Sequence, residues 1–187
     1  MAWIVVGVLI LIVVFVVGIY NGLVRLNVQC DNAWADIDVQ LKRRYDLVPN
    51  LVESVKGYAA HEKGTLEAVI SARNRAMSAT GPADKAQAEN ILSGALTGLF
   101  ALAEAYPQLR AVESFTSLQS ALSGIEDTLQ NARRYYNAVV RDLNTKIQQF
   151  PTNMVAGTLG FKSRQFFELS AAAEREAPKV SFNPPSA

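Results

Sequence analysis

Residues 1–59 read MAWIVVGVLILIVVFVVGIYNGLVRLNVQCDNAWADIDVQLKRRYDLVPNLVESVKGYA, and two patterns meet inside this stretch. From Met1 to Ile19 no side chain is charged or strongly polar. An apolar run of about 18 residues or more is long enough to cross a bilayer as a helix, and a helix pairs its own backbone groups where no water can. Trp3 and Tyr20 flank the run. They stand ~26 Å apart on a helix, close to the hydrocarbon thickness, and aromatic rings favour both interfaces. The second pattern is a stripe: Leu26, Cys30, Ala33, Ile37, Leu41, Tyr45, Val48, Val52, Val55 and Ala59 recur at steps of three and four, the period of an amphipathic helix. Only Gly22 intervenes between the patterns, so one helix is expected to carry both. Pro49 lacks a backbone donor and predicts a bend near Tyr45. Gly57 and Gly64 bracket a turn around His61.

A cleaved secretory signal would need a basic start and a small-x-small cleavage site. Met1-Ala2-Trp3 has no basic side chain, and Ile19-Tyr20-Asn21-Gly22-Leu23 is a poor cleavage site, so an uncleaved anchor is expected. Arg25 and Lys42-Arg43-Arg44 lie on one side of it, whereas the N-terminal tail carries no Lys or Arg. The positive-inside rule then leans the rest of the chain toward the cytoplasm, with the N-terminus outside. Gly18-x-x-x-Gly22 fits close helix contact in membranes, and equally a loosened junction between anchor and bundle.

Outward from this stretch the chain stays helical in pattern. A shorter helix is expected over roughly His61 to Ala79, with Leu66, Ile70 and Met77 on one face, ended by Thr80-Gly81-Pro82. Asp84 is then read as an N-cap, with Gln87 as its capping-box partner. Ala88, Leu92, Ala95, Leu99, Leu102 and Tyr106 mark a third helix, stopped by Pro107, which suits the first turn of the next. The fourth carries the most regular stripe: Phe115, Leu118, Leu122, Ile125, Leu129, Ala132, Tyr136, Val139, Leu143, Ile147 and Phe150. Such a repeat packs as a coiled-coil-like seam at a shallow crossing angle, and Pro151 ends it. The fold expected is all-α: a transmembrane helix over 1–20, continuous with an antiparallel four-helix bundle over 21–177, then an extended or disordered tail over 178–187. Gly157 and Gly160 surround a loop. Phe161, Phe166, Phe167 and Leu169 are expected to begin a short helix ending near Ala177. On the tail, Val180 and Phe182 are apolar and could dock into a groove of this or a neighbouring subunit.

The charge balance, 18 basic against 17 acidic residues, exerts no general pull on nucleic acid or acidic substrates. A single cysteine, Cys30, excludes an internal disulfide. Asn27-Val28-Gln29 before it lack the small residues of a lipidation site, so a plain surface or core thiol is expected. A di-iron bundle wants Glu-x-x-His on two helices, but His61 is the only histidine and position 58 is Tyr. One Cys and one His make no zinc set. No phosphate-binding glycine loop or nucleophile elbow occurs. No catalytic, cofactor or metal residues are therefore assigned, and His61 beside Glu62 is read as a turn or helix-start residue. Lys42-Arg43-Arg44 and Arg133-Arg134 are read as salt-bridge partners of acidic residues, Asp38 serving Lys42 at helical spacing. Tyr45, Tyr58, Tyr106, Tyr135 and Tyr136 are read as core or core-edge residues whose hydroxyls bond across helices.

The string Gln40-Leu41-Lys42-Arg43-Arg44-Tyr45-Asp46-Leu47-Val48-Pro49-Asn50-Leu51-Val52, with Ala33-Trp34 before it and Val55-Lys56-Gly57-Tyr58 after it, resembles the LemA family. His61-Glu62, Ala72-Arg73, Glu104-Ala105-Tyr106-Pro107, Ala132-Arg133-Arg134-Tyr135-Tyr136-Asn137 and Phe150-Pro151 extend the resemblance from about residue 20 to the end of the chain. It implies a bacterial inner-membrane protein with one N-terminal span and a helical bundle, and defines no catalytic activity. Some members of that family take part in organising magnetosome membranes, and others are linked to membrane peptidases. The function expected is a membrane-anchored scaffold or interaction protein without enzymatic activity. Its partners would be the lipid bilayer, further copies of itself and membrane proteins, not nucleic acid or a small-molecule substrate. The alternative is a regulatory adaptor of a membrane enzyme such as a peptidase.

Overall fold

The computed structural model describes residues 1–59 and 61–168. The helices are α1 (Ala2–Lys56), α2 (Lys63–Ser78), α3 (Gly81–Ala105), α4 (Pro107–Arg110), α5 (Glu113–Gln148) and α6 (Asn153–Ala156). Among the described residues there is no strand. The four long helices α1, α2, α3 and α5 form the bundle, and α4 and α6 are single turns. The expected tail over 178–187, the docking of Val180 and Phe182, and the segment 169–177 lie outside the described residues.

α1 is one helix from the apolar run into the bundle, as the absence of a breaker required. Its first 17 residues are exposed or nearly so, whereas Ile19, Leu23, Cys30, Ala33, Ile37, Leu41, Tyr45, Val48, Val52 and Val55 are buried. The stripe read from the sequence is therefore the buried face, with Leu26 half-buried against it. α5 packs along α1, and the pairing fixes their direction. Arg44 meets Glu126, and Trp34 meets Tyr136 with ring centroids 5.3 Å apart. A step of ten residues down α1 is thus a step of ten up α5, an antiparallel register that carries Phe150 to the level of Tyr20. α2 and α3 form a hairpin against the far half of α1. Leu23, Ile37, Leu41, Leu92, Leu99, Leu129 and Leu143 are fully enclosed, and burial of each such side chain stabilises by ~1.5–3 kcal/mol.

Helix α1 runs through Pro49 without interruption. The proline removes the donor that the Tyr45 carbonyl would have used. Arg73 on α2 supplies the replacement: its Nε–H donates to Tyr45 O at 2.7 Å. The backbone group freed by Pro49 is thereby turned into a link between two helices.

Several expectations are corrected. α3 begins at Gly81, whose φ of +77° is open to glycine at low cost. Asp84 is therefore not the N-cap but lies in the first turns of α3, where its carboxylate accepts from the Thr80 N–H at 3.0 Å. Pro107 starts the single turn α4, not the long helix, which begins at Glu113. Tyr58 and Tyr135 are exposed, and Phe150 is 78% exposed because α5 ends at Gln148, before it. The expected helix from Phe161 does not form over 161–168, which carries no regular secondary structure. A Schellman turn reverses the chain there: Phe161 N–H donates to Ala156 O and Gly160 N–H to Gly157 O. Gly160, at φ +82°, takes the left-handed position this turn requires. The next residues run back along α5 with their backbone groups bound by its side chains.

Candidate functional site

Three arrangements concentrate the polar chemistry of the described residues. The first is a buried ion cluster joining α1, α3 and α5. Glu89 is fully buried. One of its oxygens accepts from Arg44 Nη1 at 2.9 Å and the other from the Tyr45 hydroxyl at 2.5 Å. Arg44 also donates to Ser93 Oγ at 2.9 Å and pairs with Glu126 at 3.0 Å. Glu126 reaches on to Arg133 at 3.5 Å. Two guanidinium groups thus face two carboxylates, buried Glu89 and part-exposed Glu126, so the charges of the cluster cancel. Helical register explains the placement: Arg44 sits three residues after Leu41 and four before Val48, on the buried stripe. Burial, then the Glu89 carboxylate, pushes the Tyr45 hydroxyl far above its ordinary pKa. Burial pulls the Arg133 guanidinium down. Nε and Nη2 of Arg133 have no hydrogen-bond partner among the described residues. The guanidinium instead lies 5.1 Å from the centroid of the Phe167 ring, and a cation over a ring face offsets part of its desolvation.

The second arrangement is the strap over 161–168. Asn144 Nδ2 donates to Arg164 O at 2.9 Å, and its Oδ1 accepts from Arg164 N–H at 2.8 Å. Asn137 does the same for Phe167, at 3.0 and 2.9 Å. The Tyr136 hydroxyl donates to Gln165 O at 2.9 Å. The geometry matches because two helical turns advance ~10.5 Å and three extended residues ~10 Å. The strap's side chains then reach α1. Arg164 donates to Asn27 Oδ1 and pairs with Asp31 at 2.6 Å, while Phe167 is buried with its ring 5.7 Å from that of Trp34.

The third is the end of the bundle beside the apolar run. The Phe161 ring stands 5.8 Å from Tyr20, Ile19 and Leu23 are covered, and Phe150 and Met154 point outward. Cys30 is buried nearby on α1, and burial raises its thiol pKa.

Of the groups singled out from the sequence, Arg44, Arg133, Tyr45 and Tyr136 come together in or beside the ion cluster and the strap. Lys42 does not pair with Asp38. It pairs with Asp46 at 2.8 Å, while Asp38 faces Lys85 at 3.7 Å. Arg134 bonds Asn131 on its own helix. His61 lies exposed in the turn between α1 and α2. Glu89, Asn144 and Arg164 escape the sequence reading, and Asn137 enters it only inside the string that carries the family resemblance. For Glu89 a signal exists, a charge three residues before Leu92 and seven before Leu96; for the backbone-binding role of the asparagines there is none.

The arrangement defines a helical bundle built on a helix with an apolar N-terminal third, in which the buried polar groups pair chiefly with one another. The family model described as LemA family matches residues 33–182, and the chain belongs to that family. It is 29% identical over 158 residues to Protein LemA of Metamycoplasma hominis, covering 82% of this chain and 71% of that one. It is 25% identical over 181 residues to Magnetosome protein MamQ 2 of Paramagnetospirillum magneticum, and 23% identical to Magnetosome protein MamQ of Magnetospirillum gryphiswaldense. In both cases the match covers 83% of this chain and 66% of the relative.

Proposed function

We propose that this protein is a membrane-anchored helical interaction protein that associates with further copies of itself at the bilayer and has no enzymatic activity of its own. One observation carries the reading. The most apolar window of α1 has none of its residues buried by the rest of the chain, although the same helix is enclosed from Ile19 onward. An apolar run left uncovered in water would be a heavy cost, and a bilayer removes it. The ion cluster supports the second half of the reading: its groups are engaged with one another rather than converging on an open cavity. The relatives named as magnetosome proteins fit a role in organising a membrane compartment. Exposed Arg25 beside the span fits a bundle on the cytoplasmic side.

Membranes washed with alkaline carbonate should retain the full chain, and mass measurement of the solubilised complex should show more than one copy. A strictly monomeric complex across detergents would overturn self-association. Recovery in the wash would overturn the anchor. Sidedness is read separately, by labelling a Ser123→Cys variant in intact cells with a membrane-impermeant maleimide, which should fail to react.

A further inference from the structure

We propose that the turn over 149–161 is a second bilayer contact: Phe150 and Met154 enter the boundary between headgroups and acyl chains beside the exit of α1, and Arg25, Lys146 and Lys162 bind anionic lipid phosphates around them. This rests on the reading of residues 2–18 as a span. The antiparallel register brings Phe150 level with Tyr20, and the Tyr20–Phe161 ring contact at 5.8 Å fixes the turn at that height independently. Tyr20 is where the apolar run gives way to polar residues, so the turn lies at the depth of the interface. Its two faces differ. Thr152 and Ala156, one helical turn apart, are buried against the bundle, whereas Phe150 is 78% and Met154 70% exposed. Two large apolar side chains bared on one short turn are costly in water. They are suited to the first few ångströms of a membrane, where interfacial segments bury an apolar face.

Charge points to the same occupant. Residues 19–30 and 143–163 together contain Arg25, Lys146 and Lys162 and no Asp or Glu. All three cations are exposed. The neighbouring carboxylates are Asp31, already paired with Arg164, and Asp142, a helical turn further from the membrane than Lys146. An apolar tip with a basic, acid-free rim is complementary to a leaflet rich in anionic lipid.

The full chain, reconstituted into phosphatidylcholine vesicles with about 30% phosphatidylglycerol and brominated acyl chains, tests this by tryptophan quenching. A W34F variant leaves Trp3 as reporter of the span. A W3F/W34F/F150W variant places the sole indole on the turn. Both should be quenched at least twofold, and quenching of the second should fall when phosphatidylglycerol is omitted or K146Q/K162Q is added. Trp3 quenched, with the turn indole unquenched and red-shifted, would overturn the contact while sparing the span. A turn indole that is blue-shifted but unquenched would overturn it in favour of cover by a second copy. Equal quenching with and without phosphatidylglycerol would overturn the phosphate rim. An unquenched Trp3 would sink the span reading itself, and this proposal with it.

Discussion

Arg73 and Pro49 illustrate how one side chain can be needed because another removes a bond. The Tyr45 carbonyl has lost its helical donor and accepts from Arg73 instead. Arg73→Met should cost ~1–3 kcal/mol, the penalty of leaving a half-buried acceptor unpaired. In a Pro49→Ala background the helix regains its own donor, and the same change should cost much less. Urea denaturation of the four variants measures the coupling, and additivity would count against it. Glu89 is a harsher case. Glu89→Leu takes from Arg44 its fully buried partner and leaves it only the part-exposed Glu126 and the Ser93 hydroxyl, and removing one partner of a buried pair costs about 3–5 kcal/mol. Replacing Arg44 by Met at the same time should recover part of that loss. Tyr45 gives the cluster a signature in pH. Its hydroxyl ionises near pH 10 when unfolded but stays protonated well beyond that when folded. Above about pH 10 the unfolded chain therefore binds fewer protons, and stability should fall with rising pH, by up to ~1.4 kcal/mol per unit. Tyr45→Phe should make this alkaline slope shallower.

The long helices are legible because their apolar residues repeat locally, and the buried stripe of α1 is nearly the one read from the sequence. α5 follows the same rule until Gln148, and Phe150 belongs to the stripe by spacing alone. The ion cluster is half legible. Lys42, Arg43 and Arg44 are chemically alike in sequence, and only the phase of the helix tells which one points inward. The strap is illegible for a physical reason. Phe161, Phe166 and Phe167 are apolar enough to suggest a short helix, but the backbone between them is bound by Asn137 and Asn144 from a distant part of the chain. Side chain to backbone ladders leave no local period. Asn137→Ala and Asn144→Ala should each release the strap. Hydrogen exchange at Arg164 and Phe167 should rise at least tenfold in the double variant, while mid-α5 amides around Leu129 keep their protection. Equal loosening of α5 would show that the ladder is not a separable unit.

Burial across the chain divides α1 into an uncovered part and a covered part, with the boundary at Ile19. The bundle core does not use residues 2–18. Deleting them should leave a chain whose far-ultraviolet helical signal falls only by the share of the residues removed and whose melting temperature is within a few degrees of the parent. It should remain in the aqueous phase on detergent partitioning, while the parent enters the detergent phase. Loss of cooperative melting would mean that the uncovered part contributes to folding. The uninterrupted α1 also has a mechanical meaning. From Tyr20 to Lys56 it extends ~54 Å, and no joint separates this lever from the uncovered apolar part that we propose lies in the bilayer. A tilt of about 10° at the membrane, well inside the range helices adopt there, swings its far tip sideways by ~9 Å. Bilayer thickness would then be written into where the α1–α2 turn sits above the surface.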